Sequence, residues 1–271
     1  MFDRRAILTG IGASPLLGAC SAYRAPSAVS KTFVFIPGTW HGGWVWTPLV
    51  EQIIRQGYRA FSVTCTGLGE RAHLVSPEIG LQTHIDDVVA VIENEELENV
   101  TLVAHSFGGI TATGVCDRLR SRIDRVVFFD AFVPTRDRPA WVIRDENGKW
   151  PEWWEKRQAK FIEGYLMDFF GEYPIEMLVD PKQYPDIAAL VRRRLTPHPA
   201  KQWTDKVSFA NGGWEGLPRA YVHCVGQTFR QSSPAMYGPA KEAGWDFHEL
   251  AAPRLAMLTH VQETAALLLR L

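Results

Sequence analysis

Cysteine is scarce, with four residues in 271. Cys65, Cys116 and Cys224 fall on or beside expected strands and a helix, and Cys20 stands apart near the N-terminus. An odd set with no metal-ligand spacing reads as packing, not as a disulfide framework or a zinc site. There is no run of eighteen apolar residues, so no transmembrane helix is expected. Charge of one sign is lacking too: a net charge of −1 argues against nucleic acid or an acidic polymer as partner. Internal repeats and low-complexity tracts are absent. No residue pattern calls for a cofactor or a metal.

What is present is a strand that ends in a serine. Val100 to Ala104 is a short apolar run that leads into His105-Ser106-Phe107-Gly108-Gly109 and a helix-forming stretch from Ile110. This is G-x-S-x-G with Ala104 in place of the first glycine. A serine on such a strand-to-helix turn projects its hydroxyl above the sheet edge, and its small neighbours let backbone pass behind it. Ser106 is therefore the candidate nucleophile. Upstream, Thr32 to Ile36 is a second buried strand, followed by Pro37-Gly-Thr-Trp-His-Gly-Gly-Trp-Val-Trp46. A glycine-rich loop there can aim an amide at the oxygen of a tetrahedral intermediate, with the amide after the serine as partner. That assigns the oxyanion hole to Thr39 and Phe107.

The remaining order is strand, helix, strand, helix. Strands are expected near 32–36, 59–64, 100–105, 125–130, 219–225 and 245–250, and helices near 45–56, 81–96, 108–120, 233–243 and 259–270. Such alternation implies a mainly parallel sheet covered on both faces, an α/β fold. Residues 135–215 break the rhythm with prolines and dense aromatics: Trp141, Trp150, Trp153, Trp154, Tyr165, Phe169, Phe170, Tyr173, Tyr184 and Trp203. Most of these rings are expected to pack, and two or three to line a pocket.

With Thr66-Gly-Leu-Gly-Glu-Arg-Ala-His-Leu74, Thr83-His-Ile-Asp-Asp87 and Phe129-Asp-Ala-Phe-Val-Pro134, these motifs resemble the α/β-hydrolase group of salicylate-methylester esterases, hydroxynitrile lyases and bacterial pyrethroid hydrolases. The resemblance is dense over 31–135 and resumes more weakly over 217–271. It implies one α/β-hydrolase domain over 31–271, with a lid at about 135–215, acting on a small-molecule ester. Dense aromatics in that lid suit an apolar or aromatic ester.

The same resemblance implies a general-base histidine after the last strand, and there the chain departs from it. The stretch reads Ala251-Ala-Pro-Arg254-Leu-Ala-Met-Leu-Thr259-His260, with arginine in the histidine position. A guanidinium stays protonated and cannot act as a base. The usual acid is also missing from Val222-His-Cys-Val-Gly-Gln227-Thr. Asp130, at a strand end on the same sheet edge, is the substitute acid, or else a carboxylate that caps the lid entry. His260 is the nearest substitute base, although Thr259-His-Val-Gln262 looks like a capping box that places it in a helix's first turn. His84 and His73 follow, if their loop folds inward. His105 is expected to point into the core. His41, in the oxyanion loop, His198, in the lid, and His223 and His248, on strands, have ordinary structural explanations.

The expected function is a serine carboxylesterase that works through an acyl-enzyme. A degenerate hydrolase that binds an apolar ligand or partner without turnover is the alternative, supported by Arg254 and Gln227. A hydroxynitrile-lyase-type enzyme fits less well, since those lyases carry threonine at Gly38 and lysine at Leu255. Residues 1–30 read as an address and a tether. Asp3-Arg4-Arg5-Ala6-Ile7-Leu8 resembles a twin-arginine signal, and Leu17-Gly18-Ala19-Cys20 a lipobox with Cys20 as lipid acceptor. The expected location is the periplasm, with membrane anchoring only through Cys20. A plain signal cut nearby or a buried amphipathic helix would read similarly.

Overall fold

The computed structural model describes residues 31–227 and 234–271; the signal-like stretch and Cys20 lie outside them. Residues of the strands β1 (Thr32–Ile36) and β3 (Val100–His105) are buried throughout. Their β-branched and aromatic side chains suit a sheet buried on both faces. Between them come α1 (Thr47–Arg55), β2 (Arg59–Ser62) and α2 (Leu81–Asn94). Gly57, at φ +89, lets the chain leave α1 through a left-handed turn that side chains resist. After β3 come α3 (Gly108–Arg118) and β4 (Ile123–Phe129).

The insert follows β4. It contains α4 (Glu152–Gln158), β5 (Leu166–Met167), α5 (Pro185–Arg194), β6 (His198–Pro199) and α6 (Lys201–Thr204). The chain then returns through β7 (Arg219–Cys224), α7 (Pro234–Glu242), β8 (Asp246–Leu250), α8 (Ala256–Thr259) and α9 (Val261–Arg270). Six strands form one parallel sheet in the order β2-β1-β3-β4-β7-β8. β5 and β6 pair antiparallel in the insert. The fold is the expected α/β-hydrolase architecture with a lid.

Strand order reverses between β1 and β3, and in open α/β sheets ligands bind beyond the carboxyl ends of the strands at such a point. Register then sets what meets there. His105 pairs with Phe129 and Phe129 with Val222. Ser106, Asp130 and His223 therefore succeed each other across three adjacent strand ends.

One local expectation is corrected. Residues 256–270 form two helices rather than one, and the capping box does not form. Thr259 Oγ1 donates back to the Leu255 carbonyl at 3.2 Å, as a hydroxyl late in a short helix can. His260 sits at the junction of α8 and α9.

Candidate active site

Ser106 has φ +55, a left-handed conformation that costs a non-glycine residue about 1–2 kcal/mol. The turn is fixed from both sides. The Ser106 carbonyl accepts from the amides of Gly109 at 3.2 Å and Phe132 at 2.9 Å. A Cβ on Gly109 would lie 2.0 Å from the Phe132 carbonyl oxygen, and one on Gly38 would lie 2.6 Å from Ser106 Cβ. Glycine is thus required where the serine turn, the loop after β1 and the lid entry converge. The Thr39 and Phe107 amides donate to no protein acceptor among the described residues.

The position a histidine would take against the serine is filled. Arg254 Nη2 donates to Ser106 Oγ at 2.7 Å, and its Nη1 donates to Asp130 Oδ2 at 2.5 Å. Asp130 is fully buried. Its Oδ1 accepts from Gln227 Nε2 at 2.8 Å and lies 3.2 Å from His223 Nδ1. Arg254 also donates to Gln227 Oε1 at 3.3 Å. A buried guanidinium therefore joins the Ser106 hydroxyl to the carboxylate. The carboxylate in turn holds the charge in a setting where an unpaired ion would be expensive.

Of the expected site residues, Ser106, Thr39, Phe107 and Asp130 meet at this sheet edge, and His260 does not join them. Its Nδ1 pairs with Thr259 Oγ1 at 2.9 Å. The ring lines a cavity of about 320 Å³, with Met177, Leu178, Tyr184, Gln227 and Arg254 among the other walls. His84 is buried in α2 with Nε2 3.2 Å from the Thr66 carbonyl, and His73 is exposed on a 3-10 turn (Gly69–Leu74). None of the eight histidines hydrogen-bonds Ser106. His105 points into the core, as expected, with both ring nitrogens unpartnered. Burial pushes it well below the usual histidine range, and the Arg254 charge adds to this.

His223 and Gln227 are site residues that the sequence reading left out. Both lie in the stretch where the usual acid is missing, and the register of β7 on β4 places His223 beside Asp130. Of the lid aromatics, Tyr184 lines the cavity beside Arg254, while Trp154, Phe169 and Trp203 are buried in the core. Cys65, Cys116 and Cys224 are free and buried. Burial raises the Cys116 thiol to about 12, so these cysteines serve packing.

Comparison with known proteins agrees with this fold. The family model described as the alpha/beta hydrolase family matches residues 33–267. A carbendazim hydrolyzing esterase from Nocardioides sp. strain SG-4G is 47% identical over 194 residues, covering 70% of this chain and 78% of that protein. Methylesterase 9 of Arabidopsis thaliana is 27% identical, covering 72% of this chain and 79% of the relative. Among solved structures, an extracellular alpha/beta-hydrolase from a Paenibacillus species superposes with a TM-score of 0.70 at 20% identity, over 89% of this chain and 98% of the other. The chain belongs to the alpha/beta hydrolase family and is an esterase-type member of it.

Proposed function

We propose that the chain is a serine carboxylesterase in which Ser106 attacks the ester carbonyl and Arg254, not a histidine, contacts the nucleophile. The observation that carries this reading is the Ser106 hydroxyl, held at 2.7 Å by Arg254 Nη2 on a strained turn beside two unspent amides. The guanidinium keeps its protons and is no base. As a donor and a cation against Oγ, it favours the alkoxide over the hydroxyl. The serine proton passes to water or hydroxide, and the alkoxide forms the tetrahedral adduct, whose oxyanion takes the Thr39 and Phe107 amides. The adduct expels the alcohol as its anion, and hydroxide later cleaves the acyl-enzyme.

Relaying the proton through Arg254 to Asp130 is the poorer route. The reference pKa values of arginine and aspartate differ by about 9 units, or ~12 kcal/mol. A turnover of one per second corresponds to a total barrier of ~17 kcal/mol. Without a histidine to protonate the leaving group, esters whose leaving anion is stable are cleaved best. Small aryl or otherwise activated esters fit this chemistry. The wild type should therefore hydrolyse p-nitrophenyl acetate with a rate that climbs through the alkaline range, instead of levelling above about 6.5 as a histidine base would make it. A fluorophosphonate should label Ser106, read by mass spectrometry, and Ser106→Ala should abolish both labelling and turnover. Activity retained in Ser106→Ala would move the nucleophile elsewhere.

A second reading, a binder without turnover, is favoured by the lack of any histidine hydrogen-bonded to Ser106. A folded wild type that resists labelling would carry that reading instead.

A further inference from the structure

The two oxyanion amides come from different loops, one after β1 and one after β3, yet one lid side chain touches both residues. Trp203, on α6, is fully buried. Its Nε1 donates to Thr39 Oγ1 at 3.1 Å. Its ring stacks on Phe107 with centres 4.1 Å apart and planes 3° from parallel. The Arg157 guanidinium lies 4.2 Å from the same ring centre; with one face taken by Phe107, the cation occupies the other. Arg157 is itself anchored by Nε, 2.9 Å from Glu172. The backbone is tied as well, since the Trp203 carbonyl accepts from Val142 N at 2.9 Å. The indole is therefore immobilised on both faces and along its polar edge.

We propose that Trp203 is a positioning residue for the oxyanion hole: one indole sets the spacing and aim of the Thr39 and Phe107 amides. This rests on the reading of those amides as oxyanion donors. Each donor acts only when aimed at the oxygen of the adduct, not at the ground-state carbonyl, and a displacement near 1 Å can cost a factor of about 100 in rate. An N–H bond to one donor residue and a stack on the other fix both relative to a third body, the lid. The two loops pack directly on each other, Gly38 against the Ser106 turn, and the indole adds a tie from the lid to both. Loosening the clamp should slow the chemical step while leaving ground-state binding in place.

Trp203→Phe keeps a ring against Phe107 and removes the N–H. Thr39→Val removes the acceptor at nearly constant volume. Each variant should lower kcat for p-nitrophenyl acetate about tenfold with KM within about twofold, and should slow fluorophosphonate labelling of Ser106 in proportion. The double variant should be no worse than either single one, since both break the same bond. Thr39→Ser, which restores the acceptor, should recover the wild-type rate. Folded Trp203→Phe with kcat within twofold of wild type, or losses that multiply in the double variant, overturn the inference. If Trp203→Phe does not fold, Thr39→Val with unchanged kcat overturns it equally. A wild type that is not labelled at Ser106 overturns both the esterase reading and this inference, whereas a labelled wild type with indifferent variants overturns the inference alone.

Discussion

At Arg254 a single residue carries both stability and chemistry. Its Nη1 neutralises a carboxylate with no solvent exposure, and breaking such a pair from one side strands a buried charge. Arg254→Met should therefore destabilise the fold by about 3–5 kcal/mol, read as a lower denaturant midpoint at unchanged slope. Arg254→His should behave differently, because an imidazole can donate to Asp130 and accept from Ser106. It should cost less stability, raise kcat/KM for p-nitrophenyl acetate at least about tenfold, and introduce a plateau above about pH 6.5. A silent Arg254→His would mean that the Asp130 geometry no longer serves a triad. The departure itself was legible, since arginine stands where the resembling sequences carry histidine. The use of that arginine was not, because nothing near residue 254 indicates a carboxylate at 130 or a hydroxyl at 106.

At the scale of elements, buried histidines tie the lid and α2 to the loop after β1. Trp40 N donates to His198 Nδ1 at 3.3 Å, which leaves Nε2 to donate to Gln202 Oε1 at 2.6 Å. His198 on β6 is thus a neutral ring of defined tautomer, and a second proton would oppose the Trp40 amide. The His84 and His198 ring centres are 5.6 Å apart. His41 donates by Nδ1 to the Thr39 carbonyl at 2.8 Å. Burial lowers His41 and His84 to about 4, against a usual 6.5, and His198 well below its usual value. Because the folded values are depressed, the unfolded chain gains protons first as pH falls. Stability is full above about 6.5 and drains toward about 4, by about 1 kcal/mol per pH unit for each of His41 and His84. Urea midpoints at pH 8, 6 and 5 should fall in that order, and a flat series would show the rings taking protons within the fold. The main strands and helices lie within a few residues of their expected bounds because apolar runs and amphipathic stretches bounded by turn residues mark them. The lid elements were not legible, since β5, β6 and α6 span two to four residues, too few for any period.

At the scale of the whole molecule, we infer that residues 1–30 carry a folded hydrolase out of the cytoplasm. Fused to a reporter, they should export it by a route that fails when Arg4 and Arg5 are both replaced by lysine, and Cys20→Ala should release it from membranes. Unchanged fractionation in both variants defeats the inference. By itself the sequence determined the alternation of strands and helices, the serine turn, the glycine-rich loop and the absence of a histidine at 254. Each of these is local, set by side-chain period, backbone sterics or the identity of one residue. Only the tertiary structure decided that Arg254 bridges Ser106 to Asp130, that His223 and Gln227 support the carboxylate, and that Trp203 spans Thr39 and Phe107. These contacts join segments far apart in the chain. Strand order and register bring the segments together, and the need to pair a buried charge or polar edge selects among the partners they offer.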